Sequence, residues 1–73
     1  MYLKRLKDLR EDIDEKQTTI AQFLGITRQQ YSLYETGKRS IPAEYIKELA
    51  LFYNTSSDFI LELTNESKPY KRN

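Results

Sequence analysis

Residues 17–36 read QTTIAQFLGITRQQYSLYET, and this stretch decides the fold. Apolar or small residues fall at Ile20, Ala21, Leu24, Ile26, Tyr31 and Tyr34, with Gly25 dividing the run in two. On each side of that glycine the spacing suits one face of a short helix and not the alternation of a strand. Gly25 follows Leu24 and suits a left-handed residue at a helix C-terminus, where a β-carbon would be penalised. Thr27 is a good N-cap for the helix that follows, expected over residues 28–36, and Gly37 closes it as Gly25 closes the one before.

The flanks continue the helical pattern. Leu3, Leu6 and Leu9 stand at three-residue steps, with Ile13 closing the stripe, so a first helix is expected over residues 2–12. The acidic run EDIDE at residues 11–15 lies at its C-terminal end, where the helix dipole disfavours carboxylates, which helps stop the helix. The second helix starts at Gln17, and the side chain of Lys16 cannot cap it, leaving that end to fray or to borrow Asp14. Pro42 opens a fourth helix reaching residue 53, whose stripe of Tyr45, Ile46, Leu49, Ala50 and Tyr53 is wide enough to face a core. Asn54, Thr55 and Ser56 form a turn with capping residues before a fifth helix over 57–63. The polar end from Thr64 onward reads as loosely held, with residues 1–66 as the domain and 67–73 as a flexible basic tail.

Bulk properties narrow the function. A chain of 73 residues has room for one domain and favours compact local architecture, so the expected class is all-α. There is no Cys and no His, which removes disulfides, thiolate metal sites and the usual nucleophiles and zinc ligands. No metal, no cofactor and no enzymatic activity are expected, and EDIDE reads as a solvated helix end without the Gly and spacing of a calcium loop. No apolar run approaches the roughly 18 residues of a membrane span, so the chain reads as soluble and intracellular.

Net charge is only +1, but its distribution is uneven. Residues 1–10 carry four basic groups against one acid, and residues 16–40 repeat that balance, whereas residues 41–66 hold one Lys against five acids. Positive charge thus gathers around helix 28–36 and would orient the domain on a polyanion. Two short helices joined by a Gly turn have the order of a helix-turn-helix, whose second helix is offered to the major groove of DNA. At about 100° per residue, Thr27, Tyr31 and Tyr34 share one side of that helix, and Gln29, Ser32, Leu33 and Thr36 the other. The apolar side packs inward, leaving Arg28, Gln29, Gln30, Ser32 and Leu33 as candidate base-reading residues. Gln29 can pair bidentately with adenine, Arg28 can fork onto guanine or phosphate, and Leu33 can meet a thymine methyl. Thr27 and Thr36 at the helix ends, and Lys38, Arg39 and Ser40 in the following loop, are candidate contacts to the DNA backbone, with Gln17 at the start of its own helix. Of six tyrosines, Tyr31, Tyr34, Tyr45 and Tyr53 occupy inward positions, and only Tyr2 and Tyr70 are free of that constraint.

This set of residues at this spacing resembles the phage repressor and Cro family, also called the XRE family of bacterial regulators. The similarity extends over residues 2–63 and includes Arg10 in the first helix and Glu35, Thr36, Gly37 and Lys38 after the second motif helix. It departs from the family at Lys16, where Ser or Thr is usual. The resemblance implies a compact five-helix repressor-like domain with the helix-turn-helix in helices 2 and 3. It also implies Gln17 against the DNA backbone and a structural ion pair between Arg10 and Glu35. A sequence-specific regulator, expected to act as a repressor on a palindromic operator, is the function implied, with double-stranded DNA and a second copy of the chain as partners and the nucleoid of the bacterial cytoplasm as its place. Phe59, Ile60 and Leu63 supply the apolar surface for a homodimer, with Tyr70 able to extend it. The alternative is an antitoxin or interaction module that binds a toxin or other partner protein through the same fold.

Overall fold

The computed structural model describes residues 2–69. Its elements are five helices: α1 (Lys4–Asp12), α2 (Gln17–Leu24), α3 (Arg28–Glu35), α4 (Ala43–Phe52) and α5 (Ser57–Ile60). The radius of gyration is 11.5 Å, close to the roughly 11 Å expected of a close-packed chain of this length. Every helix contributes to one core of Leu3, Leu6, Ile20, Ala21, Tyr31, Ile46, Leu49, Ala50 and Ile60. Leu9, Leu24, Ile26, Ile41, Phe52, Tyr53 and Leu61 pack around it. Among the described residues, no helix is long and apolar enough to cross a membrane.

The expected helix centres are found and the ends differ. Leu3 is the extended N-cap of α1, so that helix begins at Lys4 and not at residue 2. Ile13 does not close the stripe but stands 51% exposed, because it lies at the C-cap, where the chain is already turning away. Glu15 N–H donates to Arg10 O at 3.1 Å and Asp14 N–H to Glu11 O at 3.0 Å, with Asp14 left-handed at φ 55°. That is a Schellman turn. The same pair of bonds ends α2 at Gly25, α4 at Asn54 and α5 at Glu62, each with positive φ. The turn at Glu62 stops α5 after four residues, at Ile60 and not at 63.

Capping is uneven at the other ends. No side chain caps α2, as Lys16 implies, and none caps α4, where Pro42 is the N-cap. Ser56 caps α5 by accepting from Phe59 N–H at 3.0 Å. Beyond α5 the chain is tied back to α1. The Arg5 guanidinium donates to Phe59 O and Thr64 O, both at 2.6 Å, and to Asn65 Oδ1 at 3.0 Å, while lying 4.0 Å over the Phe59 ring. Thr55 Oγ1 donates to Ser67 O at 2.6 Å. A loosely held end from Thr64 onward therefore does not describe residues 64–67; Tyr70 and the last basic residues lie outside the described part.

Candidate nucleic-acid interface

α3 is held with one face in the core. Tyr31, Tyr34 and Glu35 are buried; Arg28, Gln29, Gln30 and Thr36 are exposed, and Ser32 and Leu33 are half-buried. Thr27, expected on the inward side, is exposed instead, because its side chain turns back to cap α3. Its Oγ1 accepts from Gln30 N–H at 3.1 Å, and Gln30 Oε1 accepts from Thr27 N–H at 3.2 Å. This reciprocal capping box satisfies two backbone donors that a helix start leaves free. It also draws the Gln30 amide toward the start of the helix, so only its NH2 group remains to donate outward. Thr36 Oγ1 donates to Ser32 O at 2.8 Å, which leaves that hydroxyl as an acceptor.

A buried ion pair fixes α3 against α1. Arg10 Nη2 donates to Glu35 Oε1 at 2.7 Å and Nε donates to Oε2 at 3.0 Å, a bidentate fork with both side chains largely out of solvent. Arg10 Nη1 also donates to Glu15 O at 2.8 Å, beyond the turn that ends α1. Burial alone would raise the Glu35 carboxyl, but bonds from Arg10, the neighbouring Tyr31 hydroxyl and a bond from Gln17 hold it below its ordinary value. The fork likewise raises Arg10, chiefly through its bond to Glu35. The hydroxyls of Tyr31 and Tyr53 are buried with no hydrogen-bond partner among the described residues. Both are pushed upward, first by burial and then by the charge of Glu35.

From this pair a chain of polar contacts runs to the surface. Gln17 Nε2 donates to Glu35 Oε1 at 3.3 Å, and Gln17 Oε1 accepts from Arg28 Nη1 at 3.4 Å. The start of α2 and the start of α3 are thereby joined through two residues the sequence marks for DNA. On the other end of α3, Arg39 N–H donates to Leu33 O at 3.1 Å, which folds the loop carrying the exposed Lys38, Arg39 and Ser40 back across the helix terminus.

The residues expected at a dimer contact separate. Ile60 is fully buried in the core and has no surface to give a partner, a correction that follows from α5 docking by its last residue. Phe59 is half-buried beneath Arg5, and Leu63 stands 73% exposed. Two structural residues escaped sequence reasoning. Nothing in the pattern around Arg5 marks it as the anchor of residues 59–65, and nothing marks Tyr2 as a neighbour of the loop after α3. A methyl built on Gly37 would stand 3.0 Å from both Cα and Cβ of Tyr2.

Comparison with known proteins gives the same motif. A family model described as helix-turn-helix matches residues 6–60. The chain is 38% identical over 65 residues to the prophage-derived HTH-type transcriptional regulator YonR of Bacillus subtilis, covering 89% of this chain and 60% of the relative. It is 33% identical over 69 residues to the HTH-type transcriptional regulator YobD of the same organism, with 94% of this chain and 62% of that one covered. It is 32% identical over 68 residues to the phage CTXphi transcriptional repressor RstR of Vibrio cholerae, covering 93% of this chain and 59% of the repressor. The chain thus spans about three fifths of the length of these relatives.

Proposed function

This chain belongs to the helix-turn-helix family of XRE/Cro type, DNA-binding regulators of transcription and not enzymes, and from that premise we infer that α3 enters the major groove of a palindromic operator as the reading element of a small repressor. The observation that carries this is the division of α3 into a buried face of Tyr31, Tyr34 and Glu35 and an outward face led by Arg28 and Gln29. Arg28, Gln29, Ser32 and Leu33 meet base edges, with Gln30 donating through its free NH2 group. Gln17, Thr27, Thr36, Lys38, Arg39 and Ser40 border the strands and fix register by contacts to phosphate. The bond from Arg28 to Gln17 at 3.4 Å, which ties the starts of α2 and α3 together, supports this reading. Repression follows from occupancy of a promoter, in the bacterial cytoplasm where that DNA lies.

Comparative titration of wild type and Gln29→Ala tests this. The substitution costs about 1–3 kcal/mol on the preferred site and much less on random DNA. An equal loss on both would reduce Gln29 to a phosphate contact and remove the evidence for base reading.

A further inference from the structure

Tyr2 is a large aromatic residue that neither the core nor the ion-pair network uses: its side chain is 58% exposed. The adjacent Leu3 is 3% exposed and caps α1, so Tyr2 is held at a fixed place and is not part of a free arm. That place is against Gly37, at φ +80°, where a β-carbon would stand only 3.0 Å from Cα and Cβ of Tyr2 and would need Tyr2 to give by a few tenths of an ångström. Gly37 thus answers two demands at once, a left-handed turn and a close approach. The approach joins Tyr2 to the loop of Lys38, Arg39 and Ser40, itself bonded back to α3 through Arg39 N–H and Leu33 O at 3.1 Å. Thr36, Lys38, Arg39 and Ser40 are exposed, and residues 36–40 carry no acid.

We propose that Tyr2 is a further DNA-backbone residue, its phenol donating a hydrogen bond to a phosphate oxygen of the strand that passes the loop after α3. The proposal rests on the docking of α3 in the major groove. With that docking, the loop after α3 runs along the groove edge, and a neutral donor whose Cα and Cβ lie against Gly37, the residue before Lys38 and Arg39, meets phosphate before it meets any base. Tyrosine is among the side chains that make such contacts. Duplex bases are stacked and paired, so the ring has no exposed base face to lie on. A phenol also carries no charge, which gives the contact a signature that a lysine lacks: it adds affinity without releasing a counterion.

The test uses the full chain and a mixed-sequence duplex of about 20 base pairs, two helical turns, titrated over a range of salt. Tyr2→Phe is expected to weaken binding roughly two- to tenfold, to leave the log–log salt slope unchanged, and to leave the thermal midpoint unchanged. Lys38→Ala, measured beside it, weakens binding and flattens the slope by about one unit. Gly37→Ala, which strains the turn at φ +80° and presses on Tyr2, loses at least as much affinity as Tyr2→Phe. Wild-type binding by Tyr2→Phe while Lys38→Ala binds poorly would overturn the proposal alone. Wild-type binding by Tyr2→Phe, Lys38→Ala and Arg39→Ala together would overturn the docking of this loop on DNA, and Tyr2 with it. A Tyr2→Phe loss that appears only as a lower thermal midpoint would assign the residue to packing.

Discussion

Glu35 is the side chain on which the reading surface depends most, although it touches no DNA in the arrangement proposed. A carboxylate at the C-terminal turn of a helix opposes the dipole, and here it is buried as well. It is tolerated because Arg10 meets it with two bonds and Gln17 with a third. Replacing a buried pair by apolar residues can be neutral, but stranding one partner costs about 3–5 kcal/mol. Glu35→Gln therefore lowers stability by about 3 kcal/mol and lowers DNA affinity too, since Gln17 and through it Arg28 lose their anchor. Denaturant titration and DNA titration of the same variant check both. A pH dependence follows from the same group. Its folded-state pKa lies below the ordinary value of 4.5, so its contribution is fully present above that pH and is lost as pH falls through the folded-state value. Wild type loses thermal stability below about pH 4.5 more steeply than Glu35→Gln does; parallel acid limbs would contradict it. Tyr31 and Tyr53, both raised from 10.0, have the opposite sign, and their contribution falls away as pH rises above 10.

The helices of this chain are short, eight residues for the two in the motif, and isolated helices of such length are marginal in water. Their ends matter accordingly. α1, α2, α4 and α5 all finish in the same left-handed turn, yet only α2 has glycine there. Asp14 and Asn54 suit that conformation tolerably, being short polar residues that can bond locally. Glu62 at φ 63° does not. Its ion pair with Lys4 is long, at 3.8 Å, and exposed, and such pairs contribute little. Glu62→Gly therefore stabilises the protein by about 1 kcal/mol, which raises the thermal midpoint by roughly 4–8 °C in a domain of this size. A lower midpoint would show that the Lys4 pair outweighs the backbone strain.

For the molecule as a whole, what the sequence made legible was local. Gly25 and Gly37 announced their left-handed turns, and the spacing of Ile20, Tyr31 and Tyr34 announced which faces turn inward, because helical period and positive φ are written within a few residues. What it hid was long-range. Arg5 is bonded to groups 54 to 60 positions away, and no local pattern encodes such a pairing. The early end of α5 was hidden for a related reason. Phe59, Ile60 and Leu63 look like one continuing apolar face, and only the turn at Glu62 sends Ile60 inward and Leu63 outward. Within the site, the resemblance supplied the pairing of Arg10 with Glu35, and the structure brings them together, whereas the Gln30 capping bond was masked by its candidacy as a base reader.

One reading helix contacts few base pairs, too few to select one site among roughly a million or more competitors. Two copies about 34–36 Å apart on a two-fold axis would overcome this, and we propose that Leu63, the most exposed large apolar side chain among the described residues, pairs them together with the edge of Phe59. If the protein pairs in this way, Leu63→Glu leaves the fold intact and abolishes the two-to-one complex that sedimentation of wild type on a bound duplex is expected to show. An unchanged stoichiometry of two would move the contact elsewhere, and a single protomer in wild type would remove it.

The most direct measurement is selection of bound duplexes from a random DNA pool, run in parallel with wild type and with a variant carrying Gln29→Ala and Ser32→Ala on α3. Wild type should enrich a short palindromic sequence, and the variant should lose preference at particular positions in both half-sites while still retaining DNA at low salt. Enrichment of no sequence by wild type, or of the same sequence with the same stringency by both proteins, would contradict the assignment of α3 as the element that reads DNA.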